Sequence, residues 1–242
     1  MIRTAVPLDP NNGADPPDEA TEQVTPSRNS DVVHAVRHRV AFLQQTSTQE
    51  RRFPGSVAAL ARLRNAVGRS PGSVSDVWDD TIGLLAPEWL GHQAEPPRPA
   101  ENAVHHAMTA FALHRQGSTR AAHVTNVRFG TAIRRLSRHR SIDGTEAESV
   151  RRRFDGLLTA SSPDEGAHHL RGLVRLLKSE DIGLDYGLLA ADLIDLWTPA
   201  RADAVRLKWA REYRRDKGAA LQDGTTAADT ATDRTSGQDD RS

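Results

Sequence analysis

Apolar residues recur at three- and four-residue spacings along most of this 242-residue chain, the signature of helices that each bury one face. The pattern predicts nine helices: 32–43, 56–67, 75–85, 101–116, 124–138, 145–158, 163–178, 186–197 and 201–215. Pro54 stands just before the second and Gly68 just after it, the expected start and stop residues. Gly117 closes the fourth. Alternating β-branched runs joined by Asn-Gly or Asp-Gly turns do not occur, so strands are not expected. No fixed-period repeat is visible, which argues against a helical solenoid. The expected fold class is all-α.

Placing residues at about 100° per residue separates a buried stripe from an outer face on each helix. In 124–138, Phe129, Ile133 and Leu136 share a narrow face, with Arg128, Arg134, Arg135 and Arg138 opposite. In 145–158, Val150, Phe154, Leu157 and Leu158 form the stripe; Arg152 points away from it and Arg151 and Arg153 flank it. In 163–178, Leu170, Leu173, Val174 and Leu177 are the buried set, and His168, Arg171 and Arg175 line another face. In the last helix Val205, Trp209 and Tyr213 are expected inside, and Lys208, Arg211 and Arg215 outside.

Composition changes this picture in one respect. The formal net charge is zero, with 32 basic and 32 acidic residues, but the charges are unevenly placed. Residues 1–30 and 218–242 each hold two basic and five acidic residues, which leaves 28 basic against 22 acidic in the body. Both ends are rich in small and polar residues and cannot bury enough surface to offset ordering, so disordered acidic tails are expected there. The proline-rich stretch 91–100 is the expected internal boundary, between an N-terminal helical part at 31–90 and a basic helical part at 101–217.

A charged outer face is ordinary for a surface helix, but such a face normally mixes both signs. From Arg115 to Arg153 there are ten basic and three acidic residues, and from Arg206 to Lys217 six and two. Single-sign stripes attract a polyanion, and arginine offers forked donors to phosphate oxygens. The pattern therefore predicts a surface that grips a nucleic-acid backbone.

Catalytic and metal chemistry finds no support. Cysteine is absent, which removes disulfides, thiolate ligands and thiol catalysis, and fits a cytoplasmic protein. No secretory leader or membrane-spanning run is expected. GxxxxGK[ST], GxGxxG and GxSxG are all missing. His34 and His38 are spaced for one helix face, but no HExxH or third ligand accompanies them. His105-His106 and His168-His169 are adjacent, so one member of each pair is expected to pack and the other to face solvent. Asp79 and Asp80 read as a solvated face, and Trp78, Trp89, Trp197 and Trp209 as core. Neither a metal nor a cofactor is expected, and no enzymatic activity.

The ordered segments also carry a family resemblance. They are SVAALARLRNAVGRSPG from Ser56, AVHHAMTAFALHRQG from Ala103, FGTAIRRL from Phe129, and VRRRFDGLLTASSPDEGAHHLRGLVRLLKSEDIGLDYGLLAADLIDLW from Val150. Together with an arginine-rich last helix they resemble the CasB-type small subunit of Cascade, the type I-E CRISPR interference complex. The likeness runs from about Gln44 to Arg215 and leaves out both tails. It implies two small packed helical sub-bundles and a non-catalytic subunit. It implies as partners the crRNA-bearing backbone subunits and the large subunit of the complex, with a second copy arranged head-to-tail. It further implies contact with the displaced DNA strand and the crRNA–DNA region, stabilising the R-loop, while sequence is read by the guide. Arg64, Arg152, Arg153, Arg171 and Arg175 match basic positions of the family segments, and Arg134, Arg135, Lys208 and Arg211 join them from the helix faces. Two other readings are a structural spacer that docks neighbouring subunits without touching DNA and a free-standing DNA-binding regulator, for which no helix-turn-helix with a polar recognition helix is recognisable.

Overall fold

The computed structural model describes residues 29–47, 53–92, 95–118, 120–141 and 145–214; almost all of both predicted tails, and Arg215, lie outside the described residues. The chain is all-α. Its elements are α1 (Ser30–Gln45), α2 (Pro54–Asn65), α3 (Pro99–Arg115), α4 (Phe129–His139), α5 (Thr145–Thr159), α6 (Pro163–Ser179), α7 (Tyr186–Leu196) and α8 (Ala202–Arg214). Three short 3-10 helices, Ser75–Asp80, Ile82–Leu84 and Pro87–Trp89, lie between α2 and α3. Among the described residues no helix is long and apolar enough to cross a membrane.

Two predicted elements are corrected. The expected helix at 75–85 is broken into 3-10 pieces. It contributes only Val77 and Leu85 as buried apolar side chains, too few for a continuous helical stripe. Asp80 is drawn inward to Arg39 (2.5 Å), and the Thr81 hydroxyl donates to the Val77 carbonyl (2.7 Å). The helix expected at 124–138 begins five residues late. Residues 122–124 run alongside Leu184, with the Val124 N–H donating to Leu184 O (3.0 Å) and the Leu184 N–H to Ala122 O (3.1 Å). Asn126 then turns the chain with φ at 65°, a conformation asparagine tolerates better than most residues.

Contact groups the helices differently from chain order. In the first group α3 packs against α2 and α7, and α1 lies across α7. The two backbones approach closely at that crossing, because a Cβ on Gly187 would sit 2.6 Å from the Val33 carbonyl oxygen. The second group is α4, α5, α6 and α8, closed around Phe129, Phe154 and Trp209. Contacts of α3 with α6 and of α7 with α8 join the groups. Helix α3 is therefore covered on nearly all sides, and its run from Asn102 to Ala112 is buried throughout. Its many alanines allow that enclosure. The proline-rich stretch folds back on its start: Glu101 accepts from the N–H groups of Arg98 (2.7 Å) and Gly91 (3.3 Å).

Enclosure overturns the expectation for one histidine pair. His105 and His106 are both buried, as are His114 and His123. His105 Nε2 lies 3.0 Å from the Arg69 carbonyl, and His114 Nδ1 lies 2.9 Å from the Tyr186 hydroxyl. Burial is the first cause of a lowered pKa at each of the four, to about 3 at His106 and about 4 at His114. Trp209 is core as expected, while Trp78 is exposed and donates its indole N–H to the Gly72 carbonyl (3.1 Å).

Asp185 ties α1, α7 and the segment before α4 together. Its fully buried carboxylate accepts from Arg37 Nε (2.9 Å) and Nη2 (2.6 Å) on α1, and from the Asn126 N–H (2.7 Å) in the 122–128 segment. It also caps α7, accepting from the N–H groups of Gly187 (3.0 Å) and Leu188 (3.1 Å). Burial acts to raise the pKa of this carboxyl; the Arg37 hydrogen bonds and then the backbone donors outweigh it and hold the value below that of an ordinary aspartate.

Removing one partner of a buried ion pair strands the other, so Asp185→Ala is expected to cost about 3 kcal/mol or more, measured by denaturant unfolding. A loss under about 1 kcal/mol would show that the carboxylate does not organise the fold. The histidines set a separate acid limit. Their lowered folded-state values mean that unfolding takes up protons, so stability present above about 6.5 is lost as pH falls towards about 4 and then about 3. Asp185 acts in the same sense, its contribution present above the ordinary aspartate value and lost as pH falls through its own depressed one. Urea unfolding at about pH 7.5 and about pH 5 should differ clearly, and a flat profile would contradict buried neutral imidazoles.

Candidate nucleic-acid interface

Helices α5 and α6 form a hairpin whose turn is fixed by Ser162, which accepts from the Glu165 N–H (3.2 Å) with Pro163 next in line. Val150, Phe154 and Leu157 point into the core, which turns Arg151, Arg152 and Arg153 outward. On the facing helix Leu170, Leu173, Val174 and Leu177 are buried, leaving His168 and Arg175 exposed. Two glycines set the spacing between the helices. A Cβ on Gly156 would lie 2.7 Å from the His169 ring, and one on Gly172 would lie 3.2 Å from the Arg153 side chain.

Between the helices runs a groove of about 360 Å³, lined by Ser149, Arg152, Arg153, His168, His169 and Gly172. Arg153 is steadied by donating to the Ser149 carbonyl (3.1 Å). Arg152 is exposed and, among the described residues, has no carboxylate partner. Arg171 leans away from the groove, its guanidinium carbon 3.7 Å from where a Cβ on Gly68 would stand. Burial and then the neighbouring charge of Arg175 lower its pKa, with Asp164 opposing, so two cations stand within mutual repulsion. Neighbouring charges of one sign raise the local concentration of anions.

The remaining predicted site residues do not line this groove. Arg64 is half-buried on α2, Arg134 half-buried and Arg135 exposed on α4, and Arg211 exposed on α8. Lys208, expected on an exposed stripe, is turned inward. Its ammonium meets the buried Asp192 at 2.5 Å, and Asp192 also accepts from the Trp209 indole (2.7 Å). Arg128 is exposed, as expected, and reaches the buried Glu212 at 3.4 Å. Burial is the largest influence on Glu212 and raises its pKa, against the pull of Lys208 and Arg128.

The cations thus divide in two. Arg37, Arg39, Arg128, Arg140, Arg201, Arg206 and Lys208 each hold a carboxylate and serve the fold. Arg152, Arg153 and Arg175 hold none among the described residues. Sequence reasoning missed Ser149, His169 and Gly172 as parts of the groove. A glycine inside each of two adjacent amphipathic helices was the available signal, since helix-interior glycine often marks close approach. Asp79 is exposed, but Asp80 is buried against Arg39, which corrects the reading of the pair as a solvated face. His34 and His38 stand exposed on α1.

The family model for the CRISPR-associated protein Cse2 matches residues 59–213. The crystal structure of CasB from Thermobifida fusca is similar at 32% identity, over 76% of this chain and 97% of that one, with a TM-score of 0.60. A Cse2-family protein from Thermus thermophilus is similar at 23% identity, over 75% and 98%, with a TM-score of 0.53. A chain of a CRISPR RNA-guided surveillance complex shares the fold at 21% identity, over 76% and 94%, with a TM-score of 0.54. No curated protein matches the chain.

The division of cations is open to test by thermal and denaturant unfolding. Arg152→Ala and Arg175→Ala should leave stability within about 0.5 kcal/mol of wild type, as for surface sites without a special role. Lys208→Ala should cost about 1–3 kcal/mol by leaving Asp192 short of a partner. Equal effects from the two kinds of variant would erase the distinction.

Proposed function

The chain belongs to the Cse2 family of CRISPR-associated proteins, and from that premise we propose that it is a non-catalytic small subunit of Cascade, acting in the cytoplasm. In this reading it docks the crRNA-bearing backbone subunits and the large subunit, beside a second copy of itself set head-to-tail. Its basic surface holds the backbone of the displaced DNA strand near the crRNA–DNA region and so stabilises the R-loop. The surveillance-complex chain of the same fold lends support to membership of an assembly.

The observation that carries the DNA reading is the groove itself. Arg152 and Arg153 lie in it beside His168 and His169, with Arg175 exposed farther along α6, and the three arginines have no carboxylate partner among the described residues. Guanidinium groups without internal partners are donors available to phosphate oxygens. They carry no base-reading geometry, which suits a subunit that leaves sequence to a guide. Arg64, Arg134, Arg135, Arg171 and Arg211 extend the basic surface beyond the groove. Lys208 contributes least, since its charge is committed to Asp192.

Changing Arg152, Arg153, Arg171 and Arg175 together to Ala should keep the helical circular-dichroism spectrum and incorporation into the complex, but should shorten R-loop lifetime. Binding of single-stranded DNA should be indifferent to base sequence and should weaken with salt by a slope of about −0.7 per phosphate neutralised. If the quadruple variant instead drops out of the complex, and any complex that retains it holds DNA normally, the surface is a docking spacer and the DNA reading fails.

A further inference from the structure

The basic groove has a candidate ligand within its own chain. Resting on the nucleic-acid reading above, we infer that the acidic segment 15–22 docks on the α5–α6 groove and competes there with the nucleic-acid backbone. That segment reads Asp-Pro-Pro-Asp-Glu-Ala-Thr-Glu, with four carboxylates and no basic residue in eight positions. The groove offers Arg152, Arg153 and His168, with Arg175 beyond them. Charge of one sign is concentrated on each partner, so the two are complementary.

The point where the described chain starts favours this pairing. Asn29 donates from its side chain to the Ala191 carbonyl (3.2 Å) and to Asp195 (3.3 Å), near the end of α7. Just past that end, the Trp197 indole nitrogen lies 3.0 Å from where a Cβ on Gly166 would stand. Gly166 is in the first turn of α6, two residues before His168. The N-terminal segment therefore leaves the body at the end where the groove-forming helix begins. Six residues separate Glu22 from Asn29, and the seven steps between them span up to about 25 Å.

Asp164 and Glu165 at the start of α6 repel an acidic chain, which directs it past them onto 168–175. The C-terminal segment is the poorer candidate. Its five carboxylates are spread over 223–240, with Arg234 among them. Docking by 15–22 would act as a filter: a short or weakly held polyanion fails to displace it, whereas a long DNA backbone does. The competition is electrostatic and fades as salt shortens the screening length to a few ångströms.

The chain has no cysteine, so Thr21→Cys accepts a single nitroxide label on the full-length protein. Amide signals of 149–153 and 168–175 should be broadened by the label. The broadening should disappear when Asp15→Asn, Asp18→Asn, Glu19→Gln and Glu22→Gln are combined. The same neutralised chain should bind an oligothymidine of about 20 nucleotides about fivefold more tightly than wild type at about 50 mM salt, with the difference closing near about 0.5 M. Groove amides that ignore the label, or broadening that survives neutralisation, overturn the docking. Docking with equal oligonucleotide affinity for both chains overturns the competition. If the label reports docking but neither chain binds oligonucleotide, the docking stands and the nucleic-acid reading falls.

Discussion

Taking a carboxylate out of water is tolerable only when its oxygens are fully satisfied, and Asp185 is the place where this fold meets that constraint. A guanidinium from α1, a backbone N–H from the 122–128 segment and two N–H groups from the first turn of α7 converge on one side chain. These donors come from three separate parts of the chain, so satisfying the charge and assembling the tertiary structure are the same event. The positive φ at Asn126 and the late start of α4 go with it, because the chain before α4 pairs with Leu184 and then turns to aim the Asn126 N–H at Asp185. The close α1–α7 crossing at Gly187 follows as well, since Arg37 must come within reach.

A second consequence is a sorting of cations. Buried or half-buried carboxylates capture Arg37, Arg39, Arg128 and Lys208, and these charges are committed inside the fold. Arg152, Arg153 and Arg175, on α5 and α6, face outward with no carboxylate partner among the described residues. An arginine's function therefore depends less on its helix face than on whether a distant carboxylate claims it.

Amphipathic periodicity made the all-α class legible, along with the buried stripes of α4, α5 and α6, since those depend only on local spacing. It also placed Arg152, Arg153 and Arg175 outside. It failed where a residue answers to something far away in sequence. Lys208 looked like a free surface charge because Asp192 is invisible to the local pattern. His105 and His106 could not both be assigned inside, because a helix covered on nearly every side has no polar face to reveal it. The segment at 75–85 had helical spacing but too little apolar area to hold it. The groove was half legible: its arginines were apparent, and the glycines that narrow it were passed over.

The α1–α7 pairing also bears on how the chain is made. Arg37 and Asp185 are 148 positions apart, and the apolar stripe of α1 (Val32, Val36, Val40 and Leu43) belongs to a core that α7 helps to close. During vectorial synthesis α1 emerges well before the helix that covers it. Contacts of such long sequence separation slow folding, because loop closure comes before any stabilising contact is made. Helix α3, which needs neighbours from both ends of the chain, is in the same position. A nascent chain released before α7 is complete would display two unfinished apolar surfaces, so α7 must be made before folding can be cooperative.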